Sequence, residues 1–254
     1  MKVITIINQK GGVGKSTTAL ALGHGLQAKG ESVLFIDLDA QGNISYTLGG
    51  DTAGYNSLGI LQRPETAGNE IQRTGLGDVI PSTPALSGAD NILTATGKEY
   101  KLKEALEFVS KKYKYDYVVV DTPPALGILT INALTASDYA IIPAQADIYS
   151  LQGIAQLNNT IQVVKKYTNP KLKVLGIVLT RYNARATLTK ELTGLLESSA
   201  RELETKVFKT RIRENIAVKE AQAVRQNLYE YAPNSNGSKD YTALTQEVEN
   251  EILF

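Results

Sequence analysis

Short apolar runs alternate with longer helical patterns along the whole chain. Residues 3–7, 33–37, 77–80, 117–121, 139–143 and 174–179 read as strands, and 206–210 as an edge strand. The run Tyr-Val-Val-Val-Asp at 117–121 has no polar alternation, as expected of a parallel strand covered on both faces. Helical spacing falls on 15–29, 98–112, 126–135, 150–167, 187–201, 215–224 and 241–253. Residues 42–72, rich in Gly, Asn and Thr, predict loops with short helices, and 233–238 a polar loop before the last helix. Strands alternating with helices predict βαβ units. The expected fold is therefore α/β: one doubly wound, mostly parallel sheet flanked by helices, in a single domain spanning 1–254.

Composition adds several exclusions. With 43% hydrophobic and 21% charged residues, the chain can bury an ordinary globular core. It has no cysteine, which excludes disulfides, thiolate zinc sites and iron–sulfur clusters. No stretch approaches the 18 or so consecutive apolar residues of a membrane span. Met1-Lys2-Val3 enters the first strand at once, which predicts no signal peptide and a cytoplasmic protein. The net charge of +1 is unevenly spread. Residues 160–213 hold twelve Lys and Arg against four Glu, a local net of +8, so the rest carries −7. That stretch suits either a polyanion-binding face or a solvated helical surface.

The candidate chemistry starts directly after the first strand, where residues 10–17 read Lys-Gly-Gly-Val-Gly-Lys-Ser-Thr. Strand, glycine loop and helix in that order form a phosphate-binding P-loop. Backbone N–H groups of Gly11, Gly12, Val13 and Gly14 can cradle a polyphosphate at the positive end of the helix. Lys15 can reach the terminal phosphates, the Ser16 hydroxyl can ligate Mg²⁺, and Thr17 closes the loop. Lys10 is surplus to that chemistry, because Lys15 already supplies the phosphate-binding cation. Asp37, Asp39 and Asp121 stand at or just past strand ends, on the edge of an α/β sheet where ligands bind. Asp121 is expected to hold Mg²⁺ through its water shell. Asp37 and Asp39 divide the support of the metal and the orientation of an attacking water between them.

Three segments together resemble the ParA family of partition ATPases. They are Asn8-Gln9-Lys10-Gly11-Gly12-Val13-Gly14-Lys15-Ser16-Thr17, Asp37-Leu38-Asp39-Ala40-Gln41-Gly42-Asn43, and Asp121-Thr122-Pro123-Pro124-Ala125-Leu126-Gly127. The likeness continues through Thr130-Ile131-Asn132-Ala133-Leu134, Ile142-Pro143 and Val178-Leu179-Thr180. It implies an ATP- and Mg²⁺-dependent ATPase that forms a nucleotide sandwich homodimer. Lys10 would cross to the partner's phosphates, as an arginine finger does, and Gly11 would lie where the loops meet. Asp39 would position the hydrolytic water, with Ser16, Asp37 and Asp121 serving the metal. Asn183 would border the base.

The resemblance further implies nonspecific DNA binding by the ATP dimer, nucleoid association, and stimulation of hydrolysis by a ParB-like centromere-binding protein. Arg185 falls where similar proteins carry a DNA-contacting arginine. The later family pattern Ile-Pro-Arg-Asn is replaced by Ile212-Arg213-Glu214-Asn215, which leaves Arg211, Arg213 and Lys219 as further DNA-binding candidates. Two rivals share the fold. A MinD-like ATPase would bind membrane through a basic amphipathic C-terminal helix, but here that helix carries Glu247, Glu249 and Glu251. It is expected to pack on the domain instead. A metabolic ligase would use the same loop to phosphorylate a carboxylate. His24 receives no role.

Overall fold

The computed structural model of the protein describes residues 1–184 and 187–253. Its strands are β1 (Lys2–Ile6), β2 (Val33–Asp37), β3 (Gln72–Thr74), β4 (Gly77–Ile80), β5 (Tyr117–Asp121), β6 (Tyr139–Ala144), β7 (Lys173–Tyr182) and β8 (Val207–Arg213). Its helices are α1 (Lys15–Gln27), α2 (Asn43–Leu48), α3 (Ser57–Gln62), α4 (Ala89–Ile92), α5 (Lys101–Lys112), α6 (Ile128–Ala136), α7 (Ile148–Tyr167), α8 (Thr187–Glu202), α9 (Ile216–Ala223), α10 (Leu228–Tyr231) and α11 (Asn236–Leu253). The strands form one sheet in the order β3-β4-β2-β5-β1-β6-β7-β8. Every neighbouring pair is parallel except β3 with β4. This is the doubly wound α/β architecture expected from the sequence.

Every residue of β2 and β5 is buried, which accounts for their unbroken apolar runs. The chain leaves β1 toward β2 on one side and reaches β6 later on the other, so strand order reverses at β1. Open α/β sheets bind ligands at such a reversal, outside the carboxyl ends of the strands. The glycine loop lies there, between the ends of β5 and β6. Register places Ile6 and Asp37 both opposite Asp121, so two carboxylates end adjacent strands side by side.

Two expectations are corrected. β3 went unseen because Gln-Arg-Thr carries no apolar signal; its pairing with β4 through the tight turn at 75–76 makes it a strand. The last helix begins at Asn236 and not at 241. Its first turn is polar and reads as loop, but the Ser238 N–H is captured by Ser235 Oγ (3.1 Å) and Ser238 Oγ bonds the carbonyl of Leu228. The tertiary site therefore completes a turn that its composition disfavours.

α11 packs on α1 and β8, burying Tyr241, Leu244 and Val248 in the core. Its acidic face is engaged in intramolecular contacts. Glu247 accepts from the edge-strand N–H groups of Lys209 (2.8 Å) and Thr210 (2.9 Å), which blocks the free edge of the sheet. Glu249 pairs with Lys29 and Glu251 with Lys206. Among the described residues, no helix is long and apolar enough to cross a membrane.

Candidate active site

The loop between β1 and α1 depends on glycine at two points. Gly12 (φ 74°) and Gly14 (φ 89°) are left-handed, a conformation that side chains disfavour. Gly14 is the N-cap of α1 and supplies no side-chain cap, so the first N–H groups of the helix remain available to an anion. The loop is braced from the ends of β6 and β7. Asn8 donates to the carbonyl of Pro143 (2.7 Å) and accepts from Lys10 N–H (2.9 Å). Thr180, at the end of β7, donates to the carbonyl of Val13 (2.8 Å), and Gln145 to that of Gly12 (3.3 Å). A cavity of about 540 Å³ opens over the loop, lined by Gly11, Gly12, Gly14, Lys15, Ser16 and Thr17 with Asp39 and Pro124 opposite. It has room for a nucleoside triphosphate.

The charged groups beneath the cavity are unevenly satisfied. Lys15 is buried, and its ammonium donates to the carbonyl of Lys10 (3.3 Å). Burial pulls its pKa down, while Asp121 and Asp39 oppose that shift. Asp121 is fully buried, and neither carboxylate oxygen has a hydrogen-bond partner among the described residues. Burial, then the neighbouring Asp37, push its pKa well up; Ser16 and Lys15 pull it back. An orphaned buried carboxylate is costly, and a cation on it relieves that cost. Asp121 with the Ser16 hydroxyl is a hard oxygen donor set, and it fits Mg²⁺. Among the described residues no group of three or more His, Cys, Asp or Glu gathers as a metal cage. Mg²⁺ with few protein ligands keeps its waters and takes substrate phosphates.

Asp37 differs from Asp121 in being fully engaged. Its Oδ1 accepts from Asp39 N–H (3.1 Å), and its Oδ2 from the N–H (2.9 Å) and hydroxyl (2.7 Å) of Ser45. Burial still raises its pKa to about 6 against those bonds. Sequence spacing grouped it with the metal ligands, whereas here its oxygens organise the turn that carries Asp39. Asp39 lines the cavity, with Oδ1 accepting from Gln41 N–H (3.0 Å).

Lys10 turns away from its own phosphate loop. Its ammonium pairs with Asp147 and lies 6.0 Å from the centroid of the Tyr149 ring. Asp147 is the N-cap of α7, accepting from Ser150 N–H (2.9 Å). Burial raises the Asp147 pKa, but Lys10 and Ser150 outweigh it and hold the carboxyl below the usual range. No local motif pairs Lys10 with a residue 137 positions away. Gly11 faces open space: a Cβ there would meet nothing within 4 Å.

Of the expected polyanion-binding residues, Arg185 lies outside the described residues. Arg211, on β8, has a buried Nη1 with no hydrogen-bond partner among the described residues and stands 5.9 Å from the ring of Tyr182. The Arg213 guanidinium clasps Asp240 through Nε (2.9 Å) and Nη2 (2.6 Å). Lys219 is 3.7 Å from Glu214 and lines the main cavity. Arg213, Glu214 and Lys219 also line a smaller adjoining cavity of about 140 Å³ between the ends of β7 and β8. Arg181, with a left-handed backbone (φ 48°), lines both. It is the penultimate residue of β7, directly after Val178-Leu179-Thr180, and that sequence context gives no hint of the placement. Asn183 is exposed just past β7 and is not among the residues lining either cavity. His24 is buried, bonding the carbonyl of Leu76 through Nε2 (3.1 Å) and meeting Phe35 edge-on.

The chain has clear counterparts among known proteins. A family model described as an AAA domain matches residues 1–174. The sporulation initiation inhibitor protein Soj of Bacillus subtilis is 41% identical over 252 residues, covering 97% of this chain and 98% of that protein. The chromosome partitioning protein ParA of Caulobacter vibrioides is 39% identical over 254 residues, covering 98% and 94%. Among solved structures, a cobyrinic acid a,c-diamide synthase from Mycobacterium smegmatis, with bound ADP and magnesium, superposes with a TM-score of 0.83. It is 31% identical and the match covers 99% of this chain and 95% of that one.

Proposed function

Because the chain belongs to the ParA family of P-loop partition ATPases, we propose that it hydrolyses ATP with Mg²⁺ to drive DNA partition. The observation that carries the reading is the orphaned Asp121 carboxylate, set beside Ser16 and Lys15 under a cavity of nucleotide size. In this reading the loop N–H groups and Lys15 bind the phosphates, while Ser16 and Asp121 hold Mg²⁺. The ion neutralises charge on the terminal phosphate when bound. Asp39 orients the attacking water, and Asp37 holds Asp39 in place. Residues 1–254 act as one ATPase unit.

ATP would join two copies face to face. Lys10, now paired with Asp147, would exchange that partner for the phosphates of the second copy. Both side chains of the Lys10–Asp147 pair are partly exposed, so the pair contributes at most about 1 kcal/mol and costs little to break. The open space at Gly11 leaves room for the second loop. The dimer would bind DNA without sequence preference, on the nucleoid in the cytoplasm, through Arg185 with Arg211, Arg213 or Lys219. A ParB-like protein would stimulate hydrolysis and release it.

Two other readings share the loop. Membrane association in the MinD manner is disfavoured because the apolar stripe of α11 is buried and its glutamates are paired within the chain. The metabolic-ligase reading has the synthase name of the Mycobacterium smegmatis neighbour behind it, but partition proteins match at 41% and 39% identity against its 31%. DNA binding measured against salt, with ATP, ADP and no nucleotide, tests the proposal. Affinity should require ATP and fall steeply with salt. Equal binding in all three states, or binding to anionic liposomes in place of DNA, would overturn it.

A further inference from the structure

A closed ring of buried hydrogen bonds stands behind Asp39. It begins at Asp37, whose Oδ1 accepts from Asp39 N–H and whose Oδ2 accepts from the Ser45 hydroxyl (2.7 Å). The Ser45 oxygen in turn accepts from Ser82 N–H (2.8 Å), and the Ser82 hydroxyl donates to the Asp39 carbonyl in a short bond. Asp37, Ser45 and Ser82 are fully buried, and Asp39 is 8% exposed, toward the cavity. Ser82 stands two residues past β4, whose Ile80 pairs in register with Ile36 of β2. The ring thus ties the carboxyl end of β2 to that of its neighbour strand. Both backbone polar groups of Asp39 lie in it, while the Asp39 side chain does not.

We propose that Ser82 and Ser45 are positioning residues for hydrolysis: they fix the backbone of Asp39 so that its carboxylate addresses the attacking water. This rests on the role assigned to Asp39 above. The bonds divide into two sets by what they hold. Gly42 N–H also reaches the Asp39 carbonyl (2.9 Å), and Gln41 N–H reaches its Oδ1 (3.0 Å), but both come from the same turn and move with it. The Ser82 hydroxyl comes from another strand end, so it locates the turn relative to the sheet. Ser57 adds a second such tie, its hydroxyl donating to the Asp37 carbonyl (2.8 Å) and its N–H to the Pro81 carbonyl (2.7 Å). Ser82 does not itself line the cavity, whereas Asp39, to which it bonds, does, so its influence on hydrolysis passes through Asp39.

Displacing a catalytic group by about 1 Å costs up to about a hundredfold in rate, and losing one of several tethers costs less. Steady-state hydrolysis by the full chain with Mg²⁺, over a range of ATP concentrations, reads the effect. Ser82→Ala is expected to lower kcat about tenfold while KM for ATP stays within about twofold, and Ser82→Thr, which keeps the hydroxyl, to recover most of the rate. Ser82→Cys, close in volume and a weak donor, gives the same reading should Ser82→Ala fail to fold. In an Asp39→Ala background, Ser82→Ala should lower kcat no further. An unchanged kcat in Ser82→Ala, or an equal loss with and without Asp39, would overturn the positioning role. If Asp39→Ala by itself hydrolyses ATP at the normal rate, the underlying reading of Asp39 falls instead.

Discussion

Asp121→Asn separates what the buried carboxylate costs the fold from what it gives the site. In the free protein both Asp121 oxygens are buried, with no hydrogen-bond partner among the described residues. One lysine, Lys15, faces Asp121 and Asp39, while Asp37 ends the strand next to Asp121. Acidic groups are therefore in excess, and Lys15 keeps Asp39 as a counter-charge after the substitution. A buried unsatisfied polar group costs about 1–3 kcal/mol, more when charged. Asparagine is isosteric and removes the charged part, so the free variant should gain about 1–2 kcal/mol. For a chain of this length that raises Tm by about 3–6 °C. ATP with Mg²⁺ at a hundred times its Kd adds about 2.7 kcal/mol to a protein that binds it. The wild type should show that gain only with Mg²⁺ present, and Asp121→Asn should lose the Mg²⁺-dependent part. Thermal melts of both proteins, alone, with ATP, and with ATP and Mg²⁺, give all six values. A free variant that melts lower than wild type while keeping the full Mg²⁺-dependent gain would show that Asp121 neither burdens the fold nor holds the ion.

Two further outcomes follow from buried and edge groups. Burial holds His24 neutral, with its pKa pushed down to about 4 from 6.5. The folded state then binds fewer protons than the unfolded one, so His24 takes stability away as pH falls from about 6.5 toward 4, up to about 3 kcal/mol. Urea unfolding at pH 7.5 and pH 5 should show this loss in the wild type and a smaller one in His24→Gln; equal pH dependence would refute it. Glu247→Ala frees two N–H groups on the β8 edge, and the variant should lose about 1–2 kcal/mol and self-associate as concentration rises. A monomeric variant of unchanged stability by light scattering and urea unfolding would show that the edge needs no cover.

Much of the molecule was legible along the chain. The strand ranges 33–37 and 117–121 coincide with β2 and β5, whose complete burial calls for a near-continuous apolar run, and 77–80 coincides with β4, of which only Val79 and Ile80 are buried. Lys15 to Thr17 begin α1 behind the glycine loop, as the strand-loop-helix spacing requires. The acidic C-terminal helix packs on the domain, as its glutamates suggested. The three-residue β3 and the start of α11 were not legible, since β3 owes its form to its pairing with β4 and the α11 turn is tied to Leu228. The site divides the same way. Asp39, which lines the cavity, and the buried Asp121 both come from strand ends that sequence alone could place, whereas the hydrogen bonds of Asp37 to Ser45 and to the Asp39 N–H appear only in the fold.

The order of residues along the chain specifies the class of the sheet, the phosphate loop, the three aspartates at strand ends and the family. These are local facts: a buried strand, a left-handed glycine and a lysine after a loop are each written in consecutive residues. Only the tertiary structure decided which aspartate is satisfied and which is orphaned, that Lys10 pairs with Asp147, and that Ser45 and Ser82 close a ring behind Asp39. The physical reason is that hydrogen bonds and charge pairing depend on distance in space. Asp37 and Asp121 read alike as strand-end carboxylates, and they differ only in the donors that folding brings within about 3 Å of each.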